Sequence, residues 1–113
     1  MKYFIYENNK LKKVKRSVYE QWIRCEGGFY VLPDYTILID ENLYSIETVF
    51  AGAVDDDEDA LPFVICRIDS ELELRKDGVS FKTVSDSVEY FANYESLSNR
   101  YYDLINEIEN NFA

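Results

Sequence analysis

Apolar and polar positions alternate with period two along much of this chain, and in two stretches the spacing lengthens to the three-to-four steps of a helix. Lys2-Tyr3-Phe4-Ile5-Tyr6-Glu7 is rich in β-formers and stops at Asn8-Asn9, a turn signal. Residues 10–15 can return as a second strand, anchored only by Leu11 and Val14. Ser17 and Glu20 then make an S-x-x-E capping box, which satisfies free amides at a helix start. Val18, Tyr19, Trp22 and Ile23 follow at helical spacing, and Gly27-Gly28 supplies a stop. The pattern predicts a short helix over residues 18–26.

Strands are expected over 29–32 and 35–40, on either side of a Pro33-Asp34 turn. Residues 43–54 form a longer, β-branched stretch with a bend or bulge near Gly52. Five adjacent carboxylates at 55–59 interrupt it, because like charges repel and stay solvated. Residues 61–68 resume as a mostly apolar strand. Glu71-Leu-Glu-Leu-Arg75 and Val79-Ser-Phe-Lys-Thr83 both alternate around Asp77-Gly78, a preferred type I′ turn. That turn pairs Lys76 with Val79, Leu74 with Phe81 and Glu73 with Lys82.

The chain ends in a long predicted helix over residues 86–110, with Ser85 available as its cap. Tyr90, Tyr94, Leu97, Tyr101, Leu104 and Ile108 recur at steps of 4, 3, 4, 3 and 4. Such a stripe reads as core packed on a sheet, and its tyrosines also suit a protein interface. The expected fold is one α+β domain over residues 1–113. It has an antiparallel sheet of about five or six strands, a short N-terminal helix and a long C-terminal helix packed on the sheet.

Composition changes the picture in two ways. No His is present, which removes the commonest general base and metal ligand. Charge is also uneven: against a formal net charge of -10, residues 1–24 carry +5 and residues 25–113 carry -15. A body so acidic is repelled by nucleic acid and anionic membrane, and attracted to basic surfaces. No run of about 18 apolar residues suggests a membrane span, and the N-terminus lacks the pattern of a signal peptide. The expected compartment is the cytoplasm, or the host cytoplasm if the chain is phage-encoded. Cys25 and Cys66 match no metal or redox motif and read as buried free thiols.

Recognisable catalytic chemistry is missing. Ser-His-Asp and Cys-His sets cannot form, and neither GxxxxGK[ST] nor GxGxxG occurs. Asp55, Asp57 and Asp59 occupy positions 1, 3 and 5 of a calcium-type loop, but Ala60 replaces its glycine and Cys66 its final Glu. No enzyme, cofactor or metal is therefore expected. The expected partner is a basic protein, with nucleases and other nucleic-acid-binding proteins as the leading class, and direct binding of nucleic acid or membrane is not expected. In size, acidity and abundance of Tyr the chain resembles phage-encoded counter-defence proteins, including DNA mimics and anti-CRISPR proteins. That resemblance implies a non-enzymatic inhibitor. An intracellular immunity protein or antitoxin against a basic toxin shares the same electrostatic logic, and a small carboxylate-based enzyme is the reading from another class. Candidate contacts are Asp55, Asp56, Asp57, Glu58 and Asp59, with Tyr94 and Tyr101 on the helix.

Overall fold

Alternation in the first fifteen residues produces a hairpin in the computed structural model, which describes residues 1–8, 10–54 and 61–111. Strand β1 (Lys2–Glu7) pairs antiparallel with β2 (Lys10–Val14), and Asn8 turns at φ 52°, a conformation Asn tolerates. Helix α1 (Arg16–Cys25) follows and buries Trp22. It starts two residues before the expected position, with Lys15 as N-cap and no side-chain cap bond. Glu20 accepts a 2.9 Å bond from Arg16 Nε one turn away, so the supposed capping box is spent on an i,i+4 ion pair.

Residues 29–32, expected as a strand, are not one. Gly27–Tyr30 is a 3-10 helix, and it lays Tyr30 against Trp22 with ring centroids 5.6 Å apart. Strand β3 (Tyr35–Ile39) then pairs with β4 (Asn42–Phe50) around a two-residue turn in which Asp40 has φ 56°. The bend expected near Gly52 is a break: after Phe50 the chain leaves one sheet, and β5 (Ala53–Val54) joins β1 in another. Gly52 is required there. A Cβ would lie 2.6 Å from the rings of Phe50 and Tyr19 and 2.8 Å from the Phe4 carbonyl oxygen. That contact lets the Phe4 N–H donate to the Gly52 carbonyl at 2.6 Å.

Strand β6 (Phe63–Arg75) and strand β7 (Gly78–Phe91) make the longest hairpin. Its turn lies one residue upstream of expectation: Arg75 pairs with Gly78, Leu74 with Val79 and Leu72 with Phe81. Lys76 and Asp77 keep negative φ, so the turn is not type I′, and the positive φ of 142° falls on Gly78. A bulge beside Asp69 and Ser70 shifts the register, and pairing then continues to Phe91.

The largest departure is residues 86–91, expected as the first turns of the long helix. They are strand, paired with β6 from Ile68 back to Phe63. Helix α2 is Tyr94–Asn110, capped by Asn93, whose side chain accepts the Ser96 N–H at 2.9 Å. Tyr90 and Phe91 share the helical spacing by coincidence of number, while the β6 ladder holds them extended.

The fold is α+β, as the sequence implies, with its antiparallel strands divided between two sheets of order β2-β1-β5 and β3-β4-β6-β7. Leu97, Tyr101, Leu104 and Ile108 bury the inner stripe of α2. They share one core with Ile46, Phe63 and Ile65 of the large sheet and Ile5 and Tyr6 of the small one. The aromatic part is dense: the Phe63 ring meets Tyr6 edge-on at 4.9 Å and Phe50 at 5.2 Å. Burying one such Leu or Phe stabilises the fold by roughly 1.5–3 kcal/mol. Both cysteines are free as expected, but Cys25 is exposed on α1 and Cys66 is half-buried. No described helix is long and apolar enough to cross a membrane.

Candidate functional site

Register assigns every residue of the large sheet to one of two faces, because residues directly opposite share a face and neighbours along a strand do not. One face carries Phe50, Thr48, Ile46, Phe63, Ile65, Tyr35 and Ile37, and on it lie α1, α2 and the small sheet. The opposite face has rows Val49–Val64–Tyr90, Glu47–Cys66–Val88, Thr36–Ser45–Ile68–Asp86 and Leu38–Leu43–Ser70–Thr83. Beyond the end of β4 it continues along the hairpin as Leu72–Phe81 and Leu74–Val79.

No described element covers this second face. Leu38 is 55% exposed, Ile68 43%, Val88 52% and Tyr90 60%, and Leu74 at the tip reaches 79%. Val64 at 9% and Ser70 at 8% are buried on this face, and Thr36, Ser45 and Thr83 interrupt its apolar positions, but the exposed apolar side chains that remain are numerous enough to mark an interaction site. The molecule is drawn out accordingly, with extents of 51 × 33 × 26 Å.

Charge sorts between the faces as well. The bases on the large sheet, Arg67, Arg75 and Lys82, all sit on the inner face by register. Arg67 is held there by Asp69 at 3.0 Å, and Arg100 of α2 by Glu89 at 3.1 Å. On the open face the charged side chains are Glu47 and Asp86, both carboxylates. The open face is thus apolar and anionic. Lys10, Lys12 and Lys13 lie on β2 of the other sheet.

Of the candidate contacts read from sequence, the two that the structure describes, Tyr94 and Tyr101, lie on α2 and not on this face. Asp55, Asp56, Asp57, Glu58 and Asp59 lie outside the described residues. Tyr101 is 5% exposed, and its hydroxyl donates to the Pro33 carbonyl at 2.6 Å, tying α2 to the loop before β3. Burial pushes its phenol above the ordinary tyrosine range. Tyr94 is half-buried between Tyr30 and Phe63. The tyrosine stripe of α2 is therefore core. Tyr90, placed with that stripe by its spacing, is the tyrosine that stands on the open face.

Among the described residues no group of three or more Cys, Asp or Glu side chains is arranged to hold a metal ion. Comparison with family models, curated proteins and solved structures finds no match to this chain.

Proposed function

We propose that this chain is a small, acidic, non-enzymatic inhibitor that binds a basic protein, with nucleases and other nucleic-acid-binding proteins as the target class, in the manner of phage counter-defence proteins such as DNA mimics and anti-CRISPR proteins. One observation carries the reading: the large sheet offers a face, rich in exposed apolar side chains and covered by no described element, whose charged side chains are carboxylates. An apolar centre supplies the burial that holds a complex together. Carboxylates left unpaired in such an interface would be costly, so the fitting partner brings Lys or Arg to Glu47 and Asp86.

The test is capture of the partner from lysate with the wild-type chain and with Ile68→Lys. Ile68 lies in the middle of the open face and is 43% exposed, so the substitution leaves the core intact while adding a base where the partner would bring its own. A basic protein retained by the wild type and lost by the variant, with equal melting temperatures, supports the reading. Retention by both removes the open face from the mechanism, and turnover of a substrate without a stable complex favours the carboxylate enzyme instead.

A further inference from the structure

Strand β7 is the edge of the large sheet, 14 residues long, and no described element lies beyond it. The other edge, β3, has five residues. A long edge strand presents unpaired N–H and C=O groups and is a template for another strand, and proteins usually blunt such edges with Pro, Lys or bulges. In β7 the bulge sits beside Ser85 and the single Lys is Lys82, so both devices protect the hairpin end. Residues 85–91 carry neither, nor Pro, and their only charged side chains are Asp86 and Glu89.

We propose that a second copy of this chain occupies this edge, pairing residues 85–91 antiparallel with their own equivalents about a two-fold axis at Val88. The self-complementarity of the segment selects this occupant. With Val88 opposite Val88 of the other copy, Ser87 faces Glu89, Asp86 faces Tyr90, and Ser85 faces Phe91. Opposed residues then share a face, as a bulge-free antiparallel ladder requires. Each carboxylate of the segment stands across from a hydroxyl donor, Asp86 from Tyr90 and Glu89 from Ser87, at the spacing where cross-strand pairs interact. Centring on Asp86 or on Glu89 would set identical carboxylates opposite each other, and centring on Ser87 would shorten the ladder. Val88 is the midpoint of residues 85–91 and lets all seven residues pair.

The geometry also leaves the sheet faces free. Arg100 and Glu89 keep their bond on the inner face, and Val88 and Tyr90 remain on the open face beside their copies. The product is an eight-stranded sheet with a doubled open face, closed by symmetry rather than open-ended. Because each chain carries -10, association is opposed by long-range repulsion and strengthens with added salt. Capture of a basic partner by the acidic face responds to salt in the opposite sense, so the two proposals fail independently.

Sedimentation of the purified chain alone, from about 1 μM to about 1 mM at low and high salt, reads the association directly. The expected result is a shift from 13.3 kDa to twice that mass, at lower concentration in high salt. Val88→Lys, at a position 52% exposed, should sediment as monomer with an unchanged melting curve, and Leu74→Lys at the hairpin tip should still dimerise. Hydrogen exchange on the wild type gives a second readout needing no variant: amides in residues 85–91 should gain protection as concentration rises. A monomer throughout the range, or a dimer that survives Val88→Lys, overturns the proposal. So does a dimer whose protection falls outside residues 85–91.

Discussion

The Thr48 hydroxyl satisfies both backbone groups of Leu32: it accepts the Leu32 N–H at 2.8 Å and donates to the Leu32 carbonyl at 3.2 Å. Both residues are buried, Thr48 at 2% and Leu32 at 7% exposure. One side chain does for Leu32 what a neighbouring strand would have done, and this lets the segment before β3 enter the core without joining a sheet. Thr48→Val keeps the volume and removes the hydroxyl, so it leaves a buried N–H and C=O without partners. Urea unfolding should show a loss of about 1–3 kcal/mol, and Thr48→Ser should recover most of it. Equal stability of the Val variant would mean that Leu32 finds another partner.

Leu104 lies at the centre of the α2 stripe and is 2% exposed. Leu104→Ala should cost roughly 2–5 kcal/mol, through lost burial and the cavity left behind. Glu95→Gln, on the exposed first turn, should change the midpoint little. A small effect at Leu104 would argue that α2 does not pack on the sheet as described.

The hairpin tip tests backbone conformation without packing. Gly78 has φ +142°, and a Cβ there meets nothing within 4 Å. Gly78→Val is therefore opposed by backbone strain alone, and should cost on the order of 1 kcal/mol. The loss should localise to the turn in hydrogen exchange, since Leu74 and Val79 beside it are already exposed.

Alkaline pH should unfold the protein through its tyrosines. Burial first, then the hydrogen bond to Glu109, push the Tyr35 phenol up to about 12, and burial raises Tyr30 and Tyr101 as well. A phenol with a folded pKa above its unfolded value of about 10 contributes stability that is complete below pH 10 and lost as pH rises towards 12. Unfolding followed by tyrosinate absorbance should accelerate in that window. Tyr35→Phe should flatten the slope there and leave the acid limb unchanged. A slope identical to wild type would remove Tyr35 from the alkaline transition.

Much of this fold is legible in local pattern. The β1–β2 hairpin, the two strands around Asp77-Gly78 and the stripe from Tyr94 to Ile108 all follow from periodicity, because each is stabilised by neighbours close in sequence. Residues 86–91 carry a helical spacing yet form strand for a physical reason: Tyr90 and Phe91 extend the spacing of the stripe, and pairing with β6 holds them extended. Asn93 was the available signal, an N-cap residue three positions before Ser96. The open face was not legible at all. Glu47, Ile68, Val88 and Tyr90 come from three strands, and their shared side depends on which strands pair and on the bulge beside Ser70.

The acid run and the open face should leave different kinetic signatures in a complex. Asp55, Asp56, Asp57, Glu58 and Asp59 concentrate five negative charges in five positions, and just five bases follow residue 24. Of these, Arg67 and Arg100 are engaged by Asp69 and Glu89. A dense run of like charge acts at a distance, on the encounter of partners. Neutralising the run to Asn and Gln should slow association and flatten its salt dependence while changing dissociation little. Ile68→Lys, placed in the contact itself, should instead speed dissociation, as changes within an interface usually do. Association and dissociation rates of both variants at two ionic strengths separate the roles. If neutralising the run leaves both the association rate and its salt slope unchanged, steering resides in Glu47, Asp86 and the other carboxylates of the body, and the run has no part in recognition.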